Sequence, residues 1–230
     1  MKAKAPDPIP DLPSGDGSPV PEDRRRRRSL RTREALASAA VELVLDRGLG
    51  AVGVDAVAER AGVTRRTFSR YFSGKEDAAL DFTRSDGERI NAALRDRPAA
   101  EPPLLAYRAA VRVWLRDPEH PAWHAHPRQR ALLALVRTEP ALFAAYERIR
   151  RAAQEESVHI LAARLGTDPA TDPLPGIVVE AGAGVLSTVL HQWARRSDGG
   201  PDELAQRVER AFDLLCQESA RAARPGGTAP

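Results

Sequence analysis

The sequence predicts an all-α fold, and three observations carry that expectation. Apolar residues recur mostly at intervals of three and four rather than two, the period of helices with one buried face. Proline and glycine punctuate the chain at intervals that suit helix starts and stops, as at Gly48, Gly62, Pro103, Pro140 and Pro201. With 230 residues, 42% hydrophobic and 29% charged, the chain has the composition of a globular protein with a sizeable core.

In chain order, residues 1–23 are rich in Pro, Gly, Asp and Ser and have little to bury, so they are expected to be disordered. Five consecutive arginines follow, Arg24 to Arg28, and residues 1–29 read together as a disordered basic arm. The first helix is expected over residues 30–47, with Leu36, Ala40, Leu43 and Val44 on one face and Gly48 as its stop. Residues 55–61 form a short helix, Gly62 turns the chain, and Thr64 caps a second short helix over residues 65–72. A longer helix is expected from Lys75 to about Arg95, with Gly87 permitting a bend. Further helices are predicted over residues 103–116, 128–136, 140–165, 175–196 and 201–223, and residues 225–230 form a disordered tail. The division that follows is an arm over 1–29, a small helical domain over 30–80, a second helical domain over 81–224, and the tail.

Several function classes find no support. The longest weakly polar run, residues 176–190, carries Glu180 and is shorter than the roughly 20 apolar residues that span a bilayer, so no membrane helix is expected. The first 20 residues lack a secretory apolar stretch, and the single Cys216 cannot form an intrachain disulfide, which together predict a cytoplasmic protein. Cys216 reads as a small buried residue. His120, His124 and His126 have the spacing H-x3-H-x-H, but Pro121 and Pro127 interrupt any helix that would align them, so no metal is expected. No G-x-S-x-G or phosphate-binding G-x-x-x-x-G-K-[ST] motif occurs, and neither catalysis nor a cofactor is expected.

Charge is distributed unevenly. Net charge is only +3, yet residues 24–75 hold 13 basic residues against five acids. Such a segment suits a polyanion, although 32 of the 35 basic residues are Arg and a general arginine bias would also produce clusters. The turn context decides for duplex DNA. Val57, Ala58, Ala61, Val63 and Phe68 bury the inner faces of two helices joined by a tight turn, which leaves Arg65, Arg66, Ser69 and Arg70 facing outward. A helix so presented enters the major groove, where Arg bonds guanine O6 and N7. Thr64 and Thr67 complete the set at its N-terminal end, and Tyr71 and Lys75 suit phosphates that fix register. The arginine run reaches phosphates or an adjacent minor groove, or else is a solvated linker. A scaffold that binds RNA or acidic protein through the arm is the alternative without a turn.

The run from Val57 to Glu76, VAERAGVTRRTFSRYFSGKE, resembles the tetracycline-repressor (TetR) family of bacterial transcription regulators. It matches the family's Ala-Gly-Val-Ser/Thr turn, a recognition helix ending in Tyr-Phe, and a Lys-Glu opening the next helix. Thr64 to Phe68 is similar to actinobacterial members that sense acyl-CoA-like ligands. Two departures stand out: Gly53 occupies the cap position where the family usually has Thr, and Ser69 replaces a common aromatic.

The resemblance implies a homodimer that binds a pseudo-palindromic operator, a small-molecule effector that releases it, and a dimer interface made by the last two helices. Stripes at Ile177, Val178, Ala181, Val185, Thr188 and Val189 and at Leu204, Val208, Ala211, Phe212 and Leu215 fit that interface, or else internal packing; Gly182 and Gly184 allow close approach. Phe82, Tyr107, Trp114, Trp123 and Phe143 are candidates to line an apolar pocket, or else plain core residues, with Arg112, Arg116 and His124 as candidates to neutralise an acidic ligand end.

Overall fold

The computed structural model describes residues 21–122, 126–194 and 201–223; among them lie ten α-helices, one short 3-10 turn and no strand. Residues 1–20 of the predicted arm, the tail over 225–230 and the end of the helix expected over 175–196 lie outside the described residues.

The first helix, α1 (Pro21–Arg47), starts nine residues before the expected position. Residues 21–29 are therefore helix, not disordered arm. Proline suits a first helical turn, and an Arg27–Asp23 ion pair of 3.0 Å supports that turn. A hydrogen bond of 3.1 Å between Ser29 Oγ and Tyr71 Oη ties the extension to the third helix. A 3-10 turn (Leu49–Ala51) leads to α2 (Val54–Arg60) and α3 (Arg65–Tyr71). Leu36, Val44, Val57, Ala58 and Phe68 close this part of the core and are at most 2% exposed.

The helix expected over 75–95 is two helices, α4 (Lys75–Ala79) and α5 (Asp81–Arg95). Leu80 leaves helical geometry at φ −99°, ψ 12°, and its side chain is fully buried. Its carbonyl accepts from the Thr83 hydroxyl at 2.6 Å, while Asp81 turns back to pair with Arg33 of α1. Local polar bonds thus redirect the chain, so α4 packs on α1 and α5 joins the second bundle.

That bundle comprises α5, α6 (Pro103–Leu115), α8 (Pro140–Leu165) and α9 (Leu174–Ala194). The helix α7 (Pro127–Leu135) bridges α1 and α9, and α10 (Pro201–Ala222) covers α6 and α9. Gly87 lies in the middle of α5 against α8. A Cβ there would lie 2.8 Å from Ala153 Cβ, so the glycine lets α5 and α8 approach closely. The same contact is closed by Asn91, which donates to Ala153 O at 3.0 Å and accepts from Ser157 Oγ at 2.6 Å.

The stretch Leu174–Trp193, with mean hydropathy 1.4, is long and apolar enough to cross a bilayer, which corrects the expectation that no such segment exists. Residues flanking the predicted run lengthen it. In the fold Val179, Ala183, Leu186, Leu190 and Trp193 are buried, and a core helix needs that apolarity.

Candidate nucleic-acid interface and ligand pocket

The turn between α2 and α3 is closed by main-chain bonds. Gly62 sits at φ 68°, a conformation that penalises any Cβ, while its N–H donates to Glu59 O and Val63 N–H donates to Ala58 O at 2.9 Å. Thr64 has extended backbone and its Oγ1 accepts from Thr67 N–H at 3.2 Å, which caps α3. Gly53 precedes α2 with no side-chain cap, so that departure leaves the first turn of α2 open to an outside acceptor. Phe68 anchors α3, 1% exposed and 5.7 Å from the Phe72 ring.

Anchoring Phe68 inward turns the opposite side of α3 outward. Arg65, Arg66, Ser69 and Arg70 are all exposed, and Thr67 is half-buried. Arg65 pairs with Asp55 of α2 at 2.8 Å, but both side chains are about two-thirds exposed, so the pair costs little to exchange for another anion. The Arg70 guanidinium lies 5.0 Å from the Tyr71 ring centroid and donates to Tyr71 Oη at 3.1 Å. Lys75 differs from its expected role as a free phosphate-binding cation. Its ammonium donates to Leu49 O at 2.7 Å and Val52 O at 2.8 Å, satisfying the carbonyls of the turn before α2.

Ion pairs join this unit to the second bundle. Arg33 of α1 holds Asp81 of α5 through two bonds, Arg148 of α8 pairs with Asp77 of α4, and Glu42 of α1 accepts from both Arg60 of α2 and Arg128 of α7. The Arg60 and Arg128 guanidiniums hold the Glu42 carboxyl below the usual carboxylate range.

A narrow cavity of about 100 Å³ lies between α5, α6, α8 and α9. Tyr107 and Trp114 line it, as expected of pocket residues, together with Tyr146, Ile149, Ile90 and Leu186. Trp114 Nε1 donates to Asp86 Oδ1 at 2.8 Å. Burial pushes the Tyr107 and Tyr146 hydroxyls upward, so both stay protonated at neutral pH. Gly182, expected to serve a partner helix, instead makes room for Tyr107, since a Cβ there would lie 2.5 Å from the ring. Among the polar lining residues that the sequence reading missed, which include Asp86 and Ser157, Arg150 donates to Gln154 Oε1 at 2.8 Å. Gln154 Nε2 is buried without a hydrogen-bond partner among the described residues. Among 32 arginines nothing in the sequence singles out Arg150.

The remaining pocket candidates fall elsewhere. Phe82 lines a separate, more polar cleft of about 820 Å³ between α1, α5 and α7. Phe143 is 50% exposed, because it lies on the outer side of α8. Arg112 faces α10, with its Nε 3.8 Å from Glu209. Trp123 and His124 lie outside the described residues. In the last two helices, Val178, Val189, Leu204, Val208 and Phe212 pack within the subunit, whereas Ile177 is 61% and Leu214 59% exposed.

A capped, Schellman-closed helix pair with an arginine-bearing outer face, set on a helical bundle that encloses a pocket, defines a helix-turn-helix DNA-binding regulator with an effector domain. Residues 36–79 match the family of bacterial regulatory proteins, tetR family, and residues 101–220 match the MftR C-terminal domain. The chain is 35% identical over 215 residues to the HTH-type transcriptional regulator TcmR of Streptomyces glaucescens, covering 90% of this chain and 93% of that protein. It is 26% identical over 201 residues to the putative mycofactocin biosynthesis transcriptional regulator MftR of Mycobacterium tuberculosis, covering 84% and 94% of the two chains. The chain belongs to the TetR family of transcription regulators. Among solved structures, the fatty acid degradation regulator FadR of Bacillus halodurans superposes with TM-score 0.53 at 17% identity, covering 80% of this chain and 94% of that one. FadR of Thermus thermophilus, solved with lauroyl-CoA, gives 0.51 at 24%, covering 86% and 98%. These relatives are transcription regulators rather than enzymes, and the scaffold alternative is not favoured.

Proposed function

We propose that the protein is a repressor that binds a pseudo-palindromic operator as a homodimer and leaves it when a small, largely apolar or acyl-type effector enters the α5–α6–α8–α9 cavity. The observation that carries this reading is the cavity itself: its lining is mostly apolar, and at about 100 Å³ it is far below the roughly 300–1,000 Å³ of a filled ligand pocket. An effector must therefore spread α5 from α8. Buried Gln154 Nε2 and Arg150 supply donors for an acceptor group at one end of the ligand. The Thermus FadR complex with lauroyl-CoA supports an acyl ligand by analogy of fold.

Arg65 and Arg66 are the proposed base readers, Ser69 and Thr67 flank them, and Arg70 and Tyr71 hold backbone. Thr64 caps and faces phosphate, while Lys75 supports the turn. One such helix offers little contact, and a two-fold dimer doubles it. The exposed apolar residues Ile177 of α9 and Leu214 of α10 favour those two helices as the interface, with Ala181, Val185 and Ala211 half-buried beside them. Motion of α5 reaches the turn through Asp81–Arg33 and through α4, whose Asp77 is held by Arg148. The site of action is the cytoplasm, with the operator.

Calorimetric titration of lauroyl-CoA, with and without an operator selected from random duplexes, tests the release step. Linkage is reciprocal, so saturating operator must weaken effector binding by the factor by which effector weakens operator binding. Tight effector binding unaffected by operator refutes release and leaves the DNA-binding reading standing.

A further inference from the structure

We propose that the N-terminal extension of α1 and the outer side of α3 form one rigid groove that grips the DNA backbone flanking the bases read by α3. This rests on the DNA-binding reading above. A concave surface of about 570 Å³ lies between the two helices, lined by Arg25, Arg28 and Thr32 of α1 and by Thr67, Arg70 and Tyr71 of α3. With Ser29, three guanidiniums and four hydroxyls converge there, and no carboxylate lines the groove. Among the described residues no acid pairs with Arg25 or Arg28, while the neighbouring Arg27 is spent on Asp23. Like charges gathered without a counter-charge repel one another until an anion arrives, and guanidinium with hydroxyl is the donor set that phosphate takes.

The groove is built rather than draped. Arg25 and Arg28 are three residues apart on one helix and so share a face. The Ser29–Tyr71 bond closes the floor, and Tyr71 in turn holds the Arg70 guanidinium over its ring. These side chains lose less freedom on binding than a flexible arm would lose. Phosphate contact fixes position and carries no base identity, so the groove extends the footprint without altering the sequence read. The nine helical residues 21–29 span about 13 Å at 1.5 Å per residue, or about four steps of a DNA strand.

The test uses the full chain and the duplex it selects from random DNA. The double variant R25A/R28A removes two cations per protomer and keeps strong helix formers. It is expected to lower the slope of log K against log salt by about 3–4 per dimer, at about 0.9 per lost phosphate contact. Ethylation interference should disappear at the flanking phosphates, with base preference unchanged. Ser29→Pro retains all five arginines but breaks the helix that presents them, and should give the same losses, whereas Ser29→Ala should keep the flanking contacts. An unchanged slope with intact flanking interference in R25A/R28A overturns the groove. Wild-type binding by S29P also overturns it, because a flexible arm then suffices. If the wild-type chain selects no duplex at all, the DNA-binding reading itself fails, a result distinct from either.

Discussion

Replacing Lys75 with methionine separates two accounts of one cation. Its place beyond the recognition helix in sequence suits Lys75 to phosphate, but its ammonium donates to Leu49 O at 2.7 Å and Val52 O at 2.8 Å. Methionine keeps the apolar stem and removes the charge, so both carbonyls of the turn before α2 lose their donor. Bonds to a charged group contribute about 1.5–3 kcal/mol each, but these two share one ammonium and are only part-buried, so about 2 kcal/mol for the pair is the working figure. For a chain of this size each kcal/mol moves the thermal midpoint by about 2–4 °C, giving an expected fall of about 4–8 °C. Loss of one phosphate contact per protomer would instead lower the salt slope of DNA binding by about 2 per dimer. Thermal unfolding and DNA titrations over a salt series, on the same preparation, read both quantities. A midpoint moved by less than about 1 °C together with a slope lowered by about 2 would refute the structural assignment.

Two further outcomes follow from packing and charge. Gly87→Ala drives a methyl group to 2.8 Å from Ala153 Cβ, which has no rotamer to yield, so overpacking of about 1–3 kcal/mol should exceed the helix gain of about 1 kcal/mol. Denaturant melts should give a lower midpoint, and a stabilised variant would mean that α5 and α8 part easily. Glu42→Gln removes a carboxylate that Arg60 and then Arg128 hold below its usual range, so the wild-type advantage should be complete above about pH 5 and vanish as pH falls through the depressed value. Urea melts of both proteins from pH 7 to pH 3 measure it; a gap that persists at the lowest pH contradicts the ion-pair account.

The recognition unit was legible because its determinants are local. Gly62 must adopt a positive φ, Thr64 must cap, and Phe68 must face inward, and each requirement is met by residues within about one turn in sequence. Helix starts at Pro103, Pro140 and Pro201 are legible for the same reason. Tertiary structure decided whatever depends on which surface a helix meets. The arginine run lies on a helix whose Ser29 reaches Tyr71, 42 residues away, and α4 parted from α5 where Leu80 turned into the core and Asp81 met Arg33. Tyr107 and Trp114 line the cavity, whereas Phe82 and Phe143, equally aromatic in sequence, point to a cleft and to solvent. Helical period marks a buried face but not the neighbour that buries it, because the hydrophobic effect is non-directional and rewards area removed from water whichever partner removes it.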